Sequence, residues 1–236
     1  QAEQGDEIFY ARSSFDETYK FIIDELDAIS SDLTLKPESG RASRGAGLTL
    51  KGWCELFAAS PLNNLSSDKN KWELAAGTYK QVMDLGVYDL FPDHRALFLE
   101  ENNNNVEVIF DKPYYRNNSI TAVMGPSYVG SEYRGYGFSN PTQELVDTYL
   151  MANGLLISDP LSGYDPENPY IGREQRFYND IIYDGAEWLG IEVVMKQGVG
   201  SKSATDLSNL NEATNTGYYW KKMMDPKYAN VGNSQN

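Results

Sequence analysis

The sequence predicts a mainly α fold of paired helices, followed by long loops and short β-hairpins. Three segments within the first 90 residues carry apolar side chains at spacings of three and four, the pattern of amphipathic helices. After Tyr88 the pattern changes to short apolar runs between turn residues, which is typical of hairpins and loops. The 236 residues are therefore expected to form one domain, with a helical core at about 10–90, a loop- and hairpin-rich part at about 91–200 and a polar tail at about 201–236.

Each predicted helix has start and stop signals. Ser14 and Glu17 form a capping box, Ser43 is an N-cap, Pro61 stops the second helix and Gly86 ends the third. The helices are expected at residues 15–33, 44–60 and 71–85. Their apolar stripes predict that four aromatic residues are buried where the helices pack: Trp53, Phe57, Trp72 and Tyr79.

The third helix also carries a repeat pattern. The order WxxAAxxY at residues 72–79 matches the first helix of a tetratricopeptide repeat, in which small residues let helices approach closely. A weaker copy, FxxTYxxI, occupies residues 15–22. The helices are therefore expected to be tetratricopeptide-like helix pairs.

Short strands, turns and one helix are expected after residue 90. Val106–Phe110 is an apolar run that predicts a strand. Pro141 is expected at the first position of a helix that reaches about Tyr149. The dipeptides Asn153-Gly154 and Asp184-Gly185 lie between apolar runs, and each predicts a hairpin.

The composition limits the classes of partner. The net charge is −14, so the field of the protein repels phosphate backbones and anionic lipid surfaces. Nucleic acid is therefore not an expected partner. No apolar stretch approaches the roughly 20 residues of a membrane span. The first residues carry no signal region and no lipid-acceptor cysteine, so any export signal is expected to be removed or to lie outside this sequence.

The sequence contains few residues that are suited to catalysis. His94 is the only histidine and Cys54 the only cysteine, and no Ser–His or Cys–His pair is evident. Glycosidases need only two carboxylates, yet no pair stands out among 34 acidic residues. Asp159, Asp165 and Glu167 suit a calcium site or, with more weight, a surface turn. The sequence predicts no catalytic residue, no metal site, no cofactor and no enzymatic activity.

Four segments carry recognisable motifs, in this order along the chain: Gly40–Asn64 (beginning GRASRGA, with AASPL near its end), Glu107–Phe110 (EVIF), Asn140–Asp147 (NPTQELVD) and Asn168–Tyr178. They resemble the SusD/RagB family, the surface glycan-binding lipoproteins of gut-type Bacteroidetes. The last segment departs from the family pattern, with Glu174-Gln175-Arg176 where the family has Asp-Pro-Arg. Because family members are longer at both ends, the resemblance implies an internal fragment.

This resemblance implies both fold and function. SusD-like proteins have a core of tetratricopeptide-like repeats with long excursions between them. They are non-catalytic and bind an oligosaccharide or another nutrient at the extracellular face of the outer membrane. They work with a SusC-like TonB-dependent transporter. A lipid anchors them to the membrane, and here that anchor would lie outside this chain.

The segment Lys112–Phe138 is the candidate ligand site. It combines tyrosines with glycines, arginines and asparagines, and flat aromatic faces with polar rims suit sugar rings. The resemblance adds that this segment contributes to the ligand face of SusD-like proteins. The candidate ligand-binding residues are Tyr115, Asn117, Tyr128, Tyr133, Arg134 and Tyr136. Trp188, after a predicted hairpin turn, is a reserve candidate.

A second hypothesis stays open for these tyrosines, because they suit packing on the helical core equally well. The chain would then be a tetratricopeptide-type protein–protein adaptor without glycan binding, and it would use the concave helix surface. Whether the ligand of the first hypothesis is a glycan or a peptide is also open.

Overall fold

A computed structural model describes residues 11–112, 125, 128–129, 132–133, 137, 139–195 and 214–228. Only the backbone is described at residues 128, 129, 132, 133 and 228. The chain forms two compact units, which lie within Gln1–Leu90 plus Val106–Pro113 and within Phe91–Asn105 plus Tyr114–Asn236. No helix among the described residues is long and apolar enough to span a membrane.

The first unit is built from the three predicted helices: α1 (Phe15–Ile29), α2 (Arg44–Ala59) and α3 (Lys69–Asp84). The capping box of Ser14 and Glu17 is present, and the Ser43 side chain accepts the backbone N–H of Ala46. α3 begins before the predicted position because Asp68 caps it, accepting the N–H of Asn70. The helical prediction is therefore confirmed, with shifts at the helix ends.

Small residues are prominent among the buried positions of α2 and α3. Ala58, Ala59 and Ala75 are buried, and Gly52 lies under the Tyr79 ring. A β-carbon at Gly52 would be 3.0 Å from Tyr79 Cε1, so only glycine gives this ring its full space. Gly45 likewise lies under Tyr88, whose hydroxyl is 3.0 Å from Ser43 Oγ.

The prediction that Trp53, Phe57 and Trp72 are buried is wrong. Their exposed fractions are 66%, 54% and 45%, while Tyr79 is half-buried. α2 carries small residues and aromatic residues on different faces, and both sets have helical spacing. The small-residue face is the one that turns toward α3, because it permits the closer approach.

The described residues of the second unit form two short helices and three two-stranded antiparallel sheets. The helices are α4 (Gln143–Thr148) and α5 (Gln175–Asp180). The strands are β1 (Tyr128–Val129), β2 (Glu132–Tyr133), β3 (Ile181–Ile182), β4 (Glu187–Trp188), β5 (Ile191–Glu192) and β6 (Tyr219–Trp220). The pairs are β1–β2, β3–β6 and β4–β5. Single 3₁₀ turns lie at Ala96–Phe98, Glu100–Asn102 and Pro226–Tyr228.

Large side chains form the core of this second unit, in two clusters. One contains Val146, Phe177, Ile181 and Tyr218, and the other contains Ile182, Ala186, Trp188, Val193, Met195, Tyr219 and Met224. Adjacent residues of β3 supply one member to each cluster, because successive side chains of a strand point to opposite faces. β3 therefore ties the two clusters together.

The predicted strand at Val106–Phe110 is wrong. Residues 106–107 form a turn, and the Val106 carbonyl accepts the backbone N–H of Asp89 at 3.2 Å. An apolar run supplies side chains suited to a strand but not the partner strand that a ladder requires.

The second predicted hairpin is wrong as well. β3 pairs with β6, far along the chain, and the hairpin turns instead at Leu189-Gly190, where φ is 56° and 76°. Two successive positive φ values are what a tight two-residue hairpin turn requires. Asp184-Gly185 lies at the open end of this hairpin, where the Gly185 N–H donates to Val193 O at 2.8 Å.

Two further expectations need smaller corrections. The Asn153-Gly154 turn exists, with φ of 82° at Gly154, but its flanks are not strands. Met151 instead makes an isolated bridge with Arg173. The helix after Pro141 begins at Gln143, because Thr142 caps it by accepting the N–H of Leu145 at 3.3 Å.

Candidate ligand-binding site

The six predicted site residues are described only in small part. Tyr115, Asn117, Arg134 and Tyr136 lie outside the described residues. Tyr128 and Tyr133 are directly opposite one another in the β1–β2 hairpin, and only their backbone is described. All six assignments remain predictions.

The backbone at the base of this hairpin is held by hydrogen bonds. The Gly137 N–H donates to the Gly125 carbonyl at 3.0 Å, and the Asn140 side-chain amide donates to the Gly137 carbonyl at 2.8 Å. Gly125 and Gly137 are buried, and Gly137 has a φ of 59°, in the left-handed region that favours glycine. These contacts bring the two ends of segment 125–137 together.

A buried arginine supports α4, the helix that follows this segment. Arg173 is 3% exposed, and its guanidinium donates to the carbonyls of Val146, Tyr149 and Pro169 at 2.7, 2.9 and 3.1 Å. Two of these carbonyls, those of Val146 and Tyr149, are at the C-terminal end of α4, and the Val146 carbonyl also accepts the backbone N–H of Tyr149 at 3.3 Å. The guanidinium also lies 4.7 Å from the Phe177 ring centroid. Arg173 thereby links α4 to the aromatic core.

Five tyrosines of the second unit pack around Phe177 or against one another: Tyr149, Tyr170, Tyr178, Tyr183 and Tyr218. The rings of Tyr170 and Tyr183 are 4.4 Å apart, and Tyr218 donates to the Gln143 side chain at 2.9 Å. Burial raises the pKa of the Tyr149, Tyr170 and Tyr183 hydroxyls, because it disfavours the phenolate. These rings are therefore packing groups rather than exposed platforms. The sequence pattern did not indicate this group, although the Asn168–Tyr178 motif contributes Tyr170 and Tyr178 to it.

Asp180 joins several segments of the second unit. Its carboxylate is buried, accepts the Tyr149 hydroxyl at 3.0 Å and lies 3.8 Å from His94 Nδ1. Its carbonyl accepts the backbone N–H groups of Lys221 and Lys222. His94 is thus half-buried beside a carboxylate. The contacts of this group are those of a structural junction.

Two other candidates have structural explanations. Asp159 accepts the N–H of Leu161, and Asp165 accepts the N–H of Glu167 and the amide of Asn168, as expected for turns. The hydrogen bonds to Asp165 lower the pKa of its carboxyl group. In the described part of the chain, no group of three or more His, Cys, Asp or Glu residues is placed to hold a metal ion. The prediction that Trp188 could be an exposed reserve candidate is wrong, because its side chain is buried in the core with an exposed fraction of 3%.

The chain matches a known family over the part that contains this site. A sequence model of the SusD family matches residues 106–236. The chain belongs to the SusD family. The matched range contains β1–β2, the Asn140 contact, α4 and Arg173. No match was found among curated protein sequences.

Solved SusD-like structures share the fold of this SusD-family chain. A SusD-like protein from Bacteroides fragilis NCTC 9343 is 25% identical; the match covers 94% of this chain and 45% of that protein, with a TM-score of 0.70. A SusD-like carbohydrate-binding protein from the same organism is 24% identical, with coverages of 93% and 42% and a TM-score of 0.68. A structure with xylogluco-oligosaccharide is 17% identical, with coverages of 98% and 43% and a TM-score of 0.59. The chain therefore has the mainly α, tetratricopeptide-like SusD fold and spans less than half the length of these proteins.

Proposed function

We propose that this SusD-family chain belongs to a non-catalytic protein that captures glycans at the cell surface. The observation that carries the proposal is the family match over residues 106–236, which includes all of the tyrosine-rich segment 112–138. The similarity to a SusD-like carbohydrate-binding protein and to a structure with xylogluco-oligosaccharide supports a saccharide ligand. A peptide ligand is the alternative that a mixed binding panel would detect.

The proposed site uses the chemistry of the segment. Tyr128 and Tyr133 occupy opposite positions of a hairpin, which brings two aromatic residues of the segment together. Aromatic faces stack on the apolar C–H faces of sugar rings, and Arg134 and Asn117 would bind hydroxyl groups at the rim. Tyr115 and Tyr136 extend the same proposed surface.

The proposal includes the absence of catalysis. The sequence has a single histidine and no distinguishable pair of carboxylates, and Asp159 and Asp165 accept hydrogen bonds within turns. We expect no release of reducing sugar from any glycan that the chain binds. Release that a single Asp or Glu substitution abolishes would contradict this part of the proposal.

The same proposal extends to location and partner. The protein would sit on the extracellular face of the outer membrane, held by a lipid anchor outside this chain, and would deliver ligand to a SusC-like TonB-dependent transporter. Co-purification of the protein with such a transporter from outer-membrane extracts tests this. Recovery of the protein only from soluble fractions would contradict it.

Calorimetric titration with a panel of oligosaccharides, including xyloglucan fragments, and peptides tests the site. Removing one stacked tyrosine, as in Tyr128→Ala, Tyr133→Ala or Tyr136→Ala, is expected to cost about 2 kcal/mol of binding free energy, which is more than tenfold in Kd. The matched variant Tyr133→Phe keeps the ring face and should retain most of the affinity. Thermal melts accompany each titration. A loss of Tm with unchanged affinity would show that these tyrosines are packing groups.

An adaptor function is the second candidate, and the exposed aromatic residues of α1 and α2 favour it. Phe15 and Phe57 have ring centroids 6.1 Å apart, and Trp53 lies one helical turn from Phe57. Exposed apolar patches often mark protein-binding surfaces. If the chain is an adaptor, Trp53→Ser should weaken its affinity for the protein partner. The same substitution should leave its affinity for glycans unchanged.

A further inference from the structure

Asn140 lies where the candidate ligand segment joins the folded core. Its side-chain nitrogen donates to the Gly137 carbonyl at 2.8 Å. Its side-chain oxygen is inaccessible to solvent and accepts no hydrogen bond from the residues that the structure describes. A carbonyl accepts only from an N–H or O–H group, so the amide nitrogen is the atom that must face Gly137. An aspartate of the same shape is unable to make this contact.

The bond from Asn140 continues across the segment. Gly137 adopts a left-handed backbone with φ of 59° and donates its own N–H to the Gly125 carbonyl at 3.0 Å. One side chain therefore fixes the backbone of Gly137, and Gly137 in turn holds Gly125. The β1–β2 hairpin, with Tyr128 opposite Tyr133, lies between these two glycines.

The other side of Asn140 is attached to the core. Pro141 is buried, and Thr142 caps α4. The far end of α4 is held by the buried guanidinium of Arg173. Movement of Asn140 relative to the core is thus restrained, which makes it a suitable fixed point for the segment.

We propose that Asn140 is a positioning residue, which closes segment 125–137 and thereby sets the affinity of its tyrosines for ligand. The inference rests on the proposed function, since it assigns the ligand to this segment. Asn140 acts through Gly137 and does not itself touch the ligand.

The test compares two substitutions of the same chemistry in the same unit. Asn140→Asp removes the N–H donors and places a carboxylate oxygen against the Gly137 carbonyl. The control is Asn153→Asp, because the Asn153 amide also donates to a backbone carbonyl, that of Ser162 at 3.1 Å, in a turn outside the candidate segment. Gly137→Ala is an independent second variant, since it strains the positive φ while it leaves Asn140 intact. Circular dichroism shows whether each variant is folded.

Two readouts separate the steps of the inference. Hydrogen exchange at the Gly137 amide reports the bond to Gly125 without any ligand, and titration with the bound glycan reports affinity. Asn140→Asp and Gly137→Ala are expected to speed exchange at position 137 and to weaken affinity about fivefold, the value of one lost hydrogen bond. Asn153→Asp is expected to change neither.

Unchanged exchange at position 137 in Asn140→Asp would overturn the inference, because the side chain would then not hold the segment. Faster exchange with unchanged affinity would overturn it as well, because the closed segment would not set ligand binding. If the wild-type chain binds no ligand of the panel, the proposed function fails. The exchange measurement would then still decide whether Asn140 holds Gly137.

Discussion

The two units of this SusD-family chain use their large apolar residues in opposite ways. In the helical unit, glycine and alanine lie between α2 and α3, while Trp53 and Phe57 are more than half exposed. In the second unit, Phe177 and Tyr219 are fully buried, although most of the chain around them is neither helix nor strand. Regular secondary structure and the burial of aromatic residues are therefore separate properties. A helix is defined by local hydrogen bonds, whereas burial depends on what packs against it.

The largest expected difference concerns the aromatic residues themselves. Phe177 is fully buried and contacts the rings of Tyr149, Tyr170, Tyr178 and Tyr183. Phe177→Ala should therefore reduce the free energy of unfolding by about 3–5 kcal/mol. Phe57→Ala, the matched change on exposed α2, should cost less than about 1 kcal/mol. Urea denaturation of both variants checks this, and equal losses would show that the face of α2 is covered in solution.

The second prediction concerns two glycines of the helical unit, one of which lies against a ring and one of which has open space around it. Gly45 lies under the Tyr88 ring, so Gly45→Ala forces that ring away from α2 and disturbs its contact with Ser43. We expect a loss of about 1–2 kcal/mol, even though alanine is the better helix former. Gly77, in the middle of α3, has open space around it. Gly77→Ala should therefore raise the free energy of unfolding by about 0.5–1 kcal/mol. Thermal melts compare the two, and a gain in both would mean that the Tyr88 ring moves freely.

The smallest expected change in stability concerns a buried carboxylate. Among the described residues of the helical unit, Glu55 is the one acidic residue that is buried. Glu55 is 1% exposed, with Lys51 Nζ 3.9 Å away. Burial raises the pKa of Glu55, because a carboxylate is disfavoured away from water. Its folded pKa is thus above its unfolded pKa. The stability it contributes is fully present below the unfolded pKa and is lost as the pH rises through the folded pKa.

Glu55→Gln removes this ionisation, so the variant should lose less stability than the wild type as the pH rises from about 4 to 8. At neutral pH it should be more stable by roughly 1 kcal/mol. The control is Glu73→Gln, an exposed position on α3, which should leave the pH profile unchanged. Urea denaturation at several pH values makes the measurement. Identical profiles for Glu55→Gln and the wild type would contradict the assignment.

Much of the local structure could be predicted because its causes are local. The capping box at Ser14, the Ser43 cap and the three-four spacing give the three helices almost to their ends. The strand predicted at Val106–Phe110 is absent, since a strand also needs a partner that its own residues do not specify. The same reason explains β3, which pairs with β6 rather than with its neighbour β4.

Less of the candidate ligand-binding site than of the helices could be predicted from the sequence. The tyrosine-rich composition marks segment 112–138, and the motif at Asn140–Asp147 marks the family. Neither marks the contacts of Arg173, because its guanidinium binds the carbonyl of Val146, which only the folded chain brings within reach. A polar residue that binds backbone distant in sequence leaves no local pattern of its own, unlike the caps at Ser14 and Ser43.

By itself, then, the sequence determined where the helices of the first unit lie, that the fold is mainly α and which family the chain belongs to, because spacing, caps and motifs are properties of neighbouring residues. The tertiary structure alone decided which face of α2 is buried, where the hairpin turns and how Trp188 and Asp180 are enclosed. Those outcomes depend on shape and on partners distant in sequence. On α2 the aromatic and small-residue faces have the same period, and close packing selected the small residues.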